Sequence, residues 1–229
     1  MAPKHDSGVI VQDLHTVTEH FKEKYPNVPY FLFGHSMGSF MARRYIMTYG
    51  SELTGAIICG TGSQPGAVLG IAKFVANTIK LFHGEKYRSE FLKNLSFNGY
   101  NSRIKPLRTP NDWLTKDESI VDKYNADKYC TFTFTLNGYL TLFDVITFIQ
   151  KNENIEKLPK DLPVFMVAGE EDPVGSFGVA VKAVYEDYKK RGQKDIECKL
   201  YPTDRHEILN ELDKEKVYED ISGWVKAHI

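Results

Sequence analysis

The chain has 229 residues, 42% hydrophobic and 26% charged, which suits one globular domain or one domain with an insertion. Its 29 Lys and Arg against 30 Asp and Glu leave a net charge of −1, so charge alone gives no reason to expect a nucleic-acid or anionic-membrane partner. No run of about 18 apolar residues could span a membrane, and the opening Met1-Ala-Pro-Lys-His-Asp lacks the apolar stretch of a secretory signal.

Val11, Leu14, Val17 and Phe21 recur at helical spacing, and Pro26 follows, so Val9 to Lys24 is predicted helical. Pro29 to Phe33 is too short an apolar run for a helix and fits a strand buried on both faces. A helix over Met37 to Tyr49, closed by Gly50, and a buried strand over Leu53 to Cys59 follow. Helix, strand, helix, strand is the rhythm of a parallel sheet. Residues 64–151 then read as mainly helical and aromatic-rich. Pro159 and Pro163 bracket a return to the first pattern: a strand at Val164 to Ala168, a helix at Phe177 to Arg191, a strand at Ile196 to Tyr201 and a helix at Lys214 to His228. The expected organisation is a mostly parallel α/β core (residues 1–63 and 152–229) interrupted by a helical lid (64–151). Cys59, Cys130 and Cys198 are far apart, odd in number and without metal-ligand spacing; they are expected to be buried thiols in a reducing, cytoplasmic compartment.

Gly34-His35-Ser36-Met37-Gly38 is a Gly-x-Ser-x-Gly motif between a predicted strand and a predicted helix, the setting of a nucleophile elbow. A serine nucleophile on so tight a turn leaves no room for side chains two residues away on either side, which accounts for Gly34 and Gly38. The backbone N–H of Met37 is placed to hold a developing oxyanion. The third predicted strand ends in Gly169-Glu170-Glu171-Asp172-Pro173-Val174 and the fourth in Pro202-Thr203-Asp204-Arg205-His206-Glu207. The order serine, acid, histidine then assigns Asp172 as acid and His206 as base, on loops at the end of the sheet that carries Ser36. Asp172 could instead cap a helix, with Glu170 or Glu171 as the acid. His206 alone among the histidines follows a core strand at the right place in that order; His35 reads as structural packing.

Gly-His-Ser-Met-Gly-Ser followed by Ala42-Arg43-Arg44-Tyr45, together with the two triad loops and Gly60-Thr61-Gly62, resembles the monoacylglycerol lipase and lysophospholipase branch of the α/β-hydrolases. The stretch Arg108 to Asp117 looks like the lid of bacterial members. The resemblance implies a serine carboxylic-ester hydrolase that needs no metal or cofactor and acts on a monoacylglycerol, a lysophospholipid or a similar acyl ester. It also implies further strands and a second oxyanion donor ahead of Val9, which the eight residues before it cannot build. On that ground the short form is expected to be a weak enzyme, with the edge at Tyr30 to Phe33 free for self-association. A prolyl or other amide hydrolase on the same triad, and a non-catalytic interaction remnant, remain open alternatives. The apolar stretch Ala67 to Phe82 is either a lid helix packed on its own core or a surface for acyl chains and lipid aggregates, and Phe132 and Phe134 are candidate substrate-binding residues.

Overall fold

A computed structural model describes residues 3–229. Helix α1 (Ser7–Lys24) starts where the Asp6 side chain accepts the Gly8 N–H, two residues earlier than its apolar periodicity indicates. Strand β1 (Phe31–His35) leads through Ser36 into α2 (Met37–Tyr49), and β2 (Gly55–Cys59) follows a short 3₁₀ turn at Gly50–Glu52. Gly50 does not end α2 in a left-handed cap; its φ of −60 continues right-handed into that turn. Between β2 and β3 lie α3 (Gly66–His83), α4 (Glu90–Ser96), α5 (Glu118–Ala126), α6 (Leu136–Ile149) and α7 (Asn152–Ile155), with no strand among these residues. The chain closes with β3 (Val164–Gly169), α8 (Val179–Lys190), β4 (Ile196–Tyr201) and α9 (Lys214–Ala227).

The four strands form one parallel sheet in the order β1-β2-β3-β4, with Phe31 opposite Gly55, Ala56 opposite Val164 and Val164 opposite Ile196. The central strands β2 and β3 are buried along their whole length, as their unbroken apolar runs require. The outer strand β1 is only half-buried, with Phe33 exposed, so the expectation of burial on both faces fails for it: it is an edge of this sheet.

Alternation sorts the sheet's side chains to two cores. Ala56, Ile58, Val164, Met166 and Ala168 face α2, α6 and α8, where Tyr45, Ile46, Val145, Ile149 and Val181 pack against them. Ile57, Cys59, Phe165 and Val167 face α9 through Val217 and Trp224, whose indole stacks on Phe165. Buried side chains of α6 thus share the main core with α2. Among the described residues, no helix is long and apolar enough to cross a membrane. The three cysteines are free; Cys59 is buried as expected and Cys198 partly so, but Cys130 is exposed because it sits on the open turn after α5.

Candidate active site

Parallel strands place their following loops at one end of the sheet, and the three sequence-selected residues lie there. Ser36 follows β1 with φ 54 and ψ −121, a backbone conformation that a residue with a side chain rarely adopts and that costs on the order of 1–3 kcal/mol. The turn is held from both sides. The Ser36 N–H donates to Cys59 O on β2 (3.1 Å), while the Ser36 carbonyl accepts from the Ser39 N–H (2.9 Å) and hydroxyl (2.6 Å). Met37 is the first residue of α2, so its N–H lies at the helix N-terminus.

The two elbow glycines differ. A Cβ on Gly34 would collide with the Gly38 carbonyl oxygen and lie 2.7 Å from Ala42 Cβ, as expected of a turn this tight. A Cβ on Gly38 would meet nothing within 4 Å. The expected crowding is therefore absent at Gly38: this side of the first turn of α2 faces open space among the described residues.

Asp172 is fully buried three residues beyond β3. Its Oδ1 accepts the Val174 N–H (2.8 Å), and its Oδ2 lies 2.9 Å from His206 Nδ1. An ionised carboxylate only accepts, so this bond puts the proton on Nδ1 and leaves the lone pair on Nε2. Glu171 is turned to Arg103 instead, 3.6 Å away. His206 Nε2 is buried and makes no hydrogen bond, so the bond expected between Ser36 Oγ and His206 is not formed in this structure. Such contacts commonly tighten only when substrate is bound.

Two aromatic rings pack against His206. The ring of Trp113 lies 5.0 Å from it and that of His35 4.7 Å. His35 Nε2 donates to the His206 carbonyl (3.0 Å). Burial, reinforced by the neighbouring His206, holds the His35 pKa below the ordinary histidine value. Gly60, at φ +59, packs directly on both imidazoles. The loop it opens is fixed by the buried Arg43, which donates to Thr61 Oγ1 (3.3 Å), the Gly62 carbonyl (2.8 Å) and Tyr188 Oη (3.1 Å). Sequence reasoning read His35 as packing and missed its bond to the His206 loop. Trp113 fell in a stretch singled out by resemblance, but nothing local marked it as a neighbour of His206.

The aromatic pair is elsewhere. Phe132 is half-exposed beneath Arg88, and Phe134 packs on Phe132 and Tyr139 at the start of α6; their ring partners do not include the triad residues. A groove of about 400 Å³ lies between α3 and α4, lined by Phe74, Val75, Ile79 and Phe91. A smaller cavity of about 160 Å³ adjoins the triad loops, between Tyr100, Arg103, Glu171, Phe177 and Arg205. Asp195, Glu197 and His228 bring possible metal-ligand atoms within 4.8 Å of one another, at the opposite end of the sheet from Ser36. The His228–Asp195 ion pair (3.3 Å) already accounts for that meeting.

A family model described as serine aminopeptidase, S33, matches residues 5–213. A monoacylglycerol lipase of Mycolicibacterium smegmatis is 22% identical over 98% of this chain and 71% of its own length. Among solved structures, a thermostable carboxyl esterase from Bacillus coagulans superposes with a TM-score of 0.88 at 31% identity, over 99% of this chain and 73% of that one. A lipase in its open form gives 0.83 at 26% identity, over 97% and 73%. The parallel sheet, the strained serine turn and these matches together establish that the chain is a hydrolase of the α/β-hydrolase fold and belongs to the serine aminopeptidase S33 family.

Proposed function

We propose that the chain is a serine carboxylic-ester hydrolase in which Ser36 is the nucleophile, His206 the base and Asp172 the acid. The observation that carries this reading is His206 itself: Nδ1 is committed to a buried carboxylate, while Nε2 is buried without a partner on the side of the sheet where Ser36 is held in a strained turn. In the first step Nε2 takes the Ser36 hydroxyl proton as Oγ attacks the ester carbonyl. The Met37 N–H at the start of α2 stabilises the oxyanion, and the imidazolium, steadied by Asp172, returns the proton to the leaving alcohol. Water then enters, loses a proton to Nε2 and cleaves the acyl-enzyme, releasing the acid and regenerating Ser36.

The favoured substrates are monoacylglycerols, lysophospholipids or similar acyl esters. The esterase and lipases among the similar proteins support an ester. The apolar surface of residues 64–151, read as a lid, supports a lipid-like acyl part: Phe74, Leu81, Phe82 and Phe91 are all strongly exposed. The family description favours a second reading, an amide or aminopeptide substrate on the same triad.

The test is labelling with a fluorophosphonate probe, in parallel with turnover of p-nitrophenyl esters of increasing chain length and of aminoacyl and prolyl naphthylamides. Ser36→Ala is expected to abolish labelling and ester turnover. Equal labelling of Ser36→Ala would sink the nucleophile assignment, and turnover of naphthylamides without esters would select the second reading.

A further inference from the structure

Residues Asp112–Lys116 form an arm that leaves the segment between β2 and β3 and lies along the loop carrying His206. The two are about ninety positions apart in sequence, yet they are sewn together by backbone bonds. The His206 N–H donates to the Trp113 carbonyl (3.4 Å) and the Glu207 N–H to the Leu114 carbonyl (2.7 Å). The Arg205 guanidinium donates to the carbonyls of Asp112 (2.7 Å) and Thr115 (3.0 Å), and the Thr115 hydroxyl to the Asn210 carbonyl (3.1 Å).

One side chain joins both partners at once. Glu211 has no exposed surface. Its Oε1 accepts the N–H of Arg205 (2.9 Å) and that of Lys116 (3.2 Å), while its Oε2 accepts the same Lys116 N–H (3.1 Å). The Lys116 ammonium then reaches Asp204 Oδ1 (2.8 Å) and stands 3.9 Å from Glu211 Oε2. A buried carboxylate is costly unless its lone pairs are filled, and here the donors that fill them are the backbone of the residue before His206 and the end of the arm that carries Trp113.

We propose that Glu211 is a positioning residue for His206, holding the base in place through the backbones of Arg205 and Lys116. The proposal rests on the assignment of His206 as base. Its physical content is that two N–H acceptors, rather than a negative charge, are what Glu211 contributes. Gln keeps an amide oxygen where Oε1 stands, able to accept both N–H groups, but puts an NH₂ where Oε2 faces the Lys116 N–H and ammonium; Leu keeps the volume and accepts neither.

The experiment compares Glu211→Leu, Glu211→Gln and Ser36→Ala on a p-nitrophenyl ester, well below the thermal midpoint of each, with the low-field proton resonance of the His206–Asp172 bond as a second readout. Glu211→Leu is expected to lower kcat about 10- to 100-fold with KM little changed, the scale of an ångström-level misplacement, and to broaden or shift that resonance. Glu211→Gln, which keeps an acceptor for both N–H groups at Oε1 but sets its NH₂ against Lys116, should recover kcat in part and lie clearly above Glu211→Leu. Should Glu211→Leu fail to fold, Thr115→Val, which removes the hydroxyl's bond to the Asn210 carbonyl and its acceptance of the Asp117 N–H at nearly constant volume, is expected to lower kcat in the same direction. Folded Glu211→Leu with wild-type kcat and resonance, Gln as damaging as Leu, or an unaffected Thr115→Val where Leu does not fold would each overturn the proposal. Retained turnover in Ser36→Ala would instead bring down the triad assignment and this proposal with it, so the two failures are told apart.

Discussion

Replacing Asp172 by Asn tests how the acid fixes the base. Asp172 uses its two oxygens differently: Oδ1 accepts the Val174 N–H at 2.8 Å and Oδ2 faces His206 Nδ1 at 2.9 Å. An asparagine has one acceptor to share between these places. If its NH₂ faced Val174, two donors would meet in a buried site, at a cost of about 1–3 kcal/mol. The oxygen therefore stays on Val174 and the NH₂ is turned toward Nδ1. An imidazole that must accept at Nδ1 carries its proton on Nε2, the nitrogen required to take the proton from Ser36. The expected loss in kcat is on the order of 10³- to 10⁴-fold, equivalent to about 4–5.5 kcal/mol of transition-state stabilisation. The fold should survive, since volume and the Val174 bond are retained; a thermal midpoint within about 4 °C of wild type corresponds to roughly 1 kcal/mol for a domain of this size. The assay is p-nitrophenyl butyrate turnover across pH, joined to ¹⁵N shifts of the His206 ring, which separate the two tautomers. A folded Asp172→Asn protein retaining more than a tenth of wild-type kcat would refute this reasoning and reopen Glu170 and Glu171.

Gly34→Ala should destabilise the fold by several kcal/mol, because its Cβ meets backbone that cannot move aside, whereas Gly38→Ala should be neutral or stabilising by about 0.5–1 kcal/mol as a helix substitution in open space; urea midpoints of the two variants settle the contrast, and equal losses would contradict it. His35 binds its proton less readily in the folded chain than in the unfolded one, so its contribution to stability is full at neutral pH and falls as pH drops through 6.5 toward the lower folded value. His35→Gln should flatten that acid limb, as read from urea midpoints between pH 7.5 and 5. Asp204 has the opposite sign: burial lifts its carboxyl from 3.8 to about 6 despite Lys116, so stability is lost as pH rises between those values, and Asp204→Asn should remove that slope. Leu81→Lys with Phe82→Lys should leave the thermal midpoint and turnover of soluble esters unchanged but reduce hydrolysis of monoacylglycerol in vesicles, since both side chains are about four-fifths exposed; an unchanged vesicle rate would remove α3 from lipid contact.

The elements with strong local signals were legible in the sequence. Met37–Tyr49 and Ile196–Tyr201 are found with the boundaries their patterns indicate, the first opening at the elbow and giving way at Gly50 to a 3₁₀ turn rather than a glycine cap, the second set by the flanking charges and Pro202. Helix α8 begins at Val179 rather than Phe177 because Ser176 and Phe177 both take positive φ and Gly178 is left-handed, a turn that an apolar run does not announce. At the site, Asp172 and His206 were reachable because each follows a strand in a fixed order, and they meet at 2.9 Å. His35 against His206, Trp113 over the same ring and Glu211 beneath its loop were not, since these contacts join distant positions and leave no periodicity or spacing behind. Phe132 and Phe134 stand out by an alternating pattern, which the segment leading into α6 also carries; their rings pack on each other and on Tyr139.

The route taken by the chain after β4 has a consequence for β3. Strands β1 and β4 stand three spacings apart, about 14 Å, yet His206 rests on His35 at the end of β1 and on Gly60 at the end of β2. The segment carrying the base must therefore run back across the top of the sheet like an overpass, and it crosses directly above Gly169, where any Cβ would strike the carbonyl oxygens of Asp204 and Arg205. That glycine leaves clearance for traffic from another strand rather than serving its own. Damage to it would surface as a displaced base, so a substitution buried inside β3 would be felt first in the kinetics of a residue more than thirty positions away.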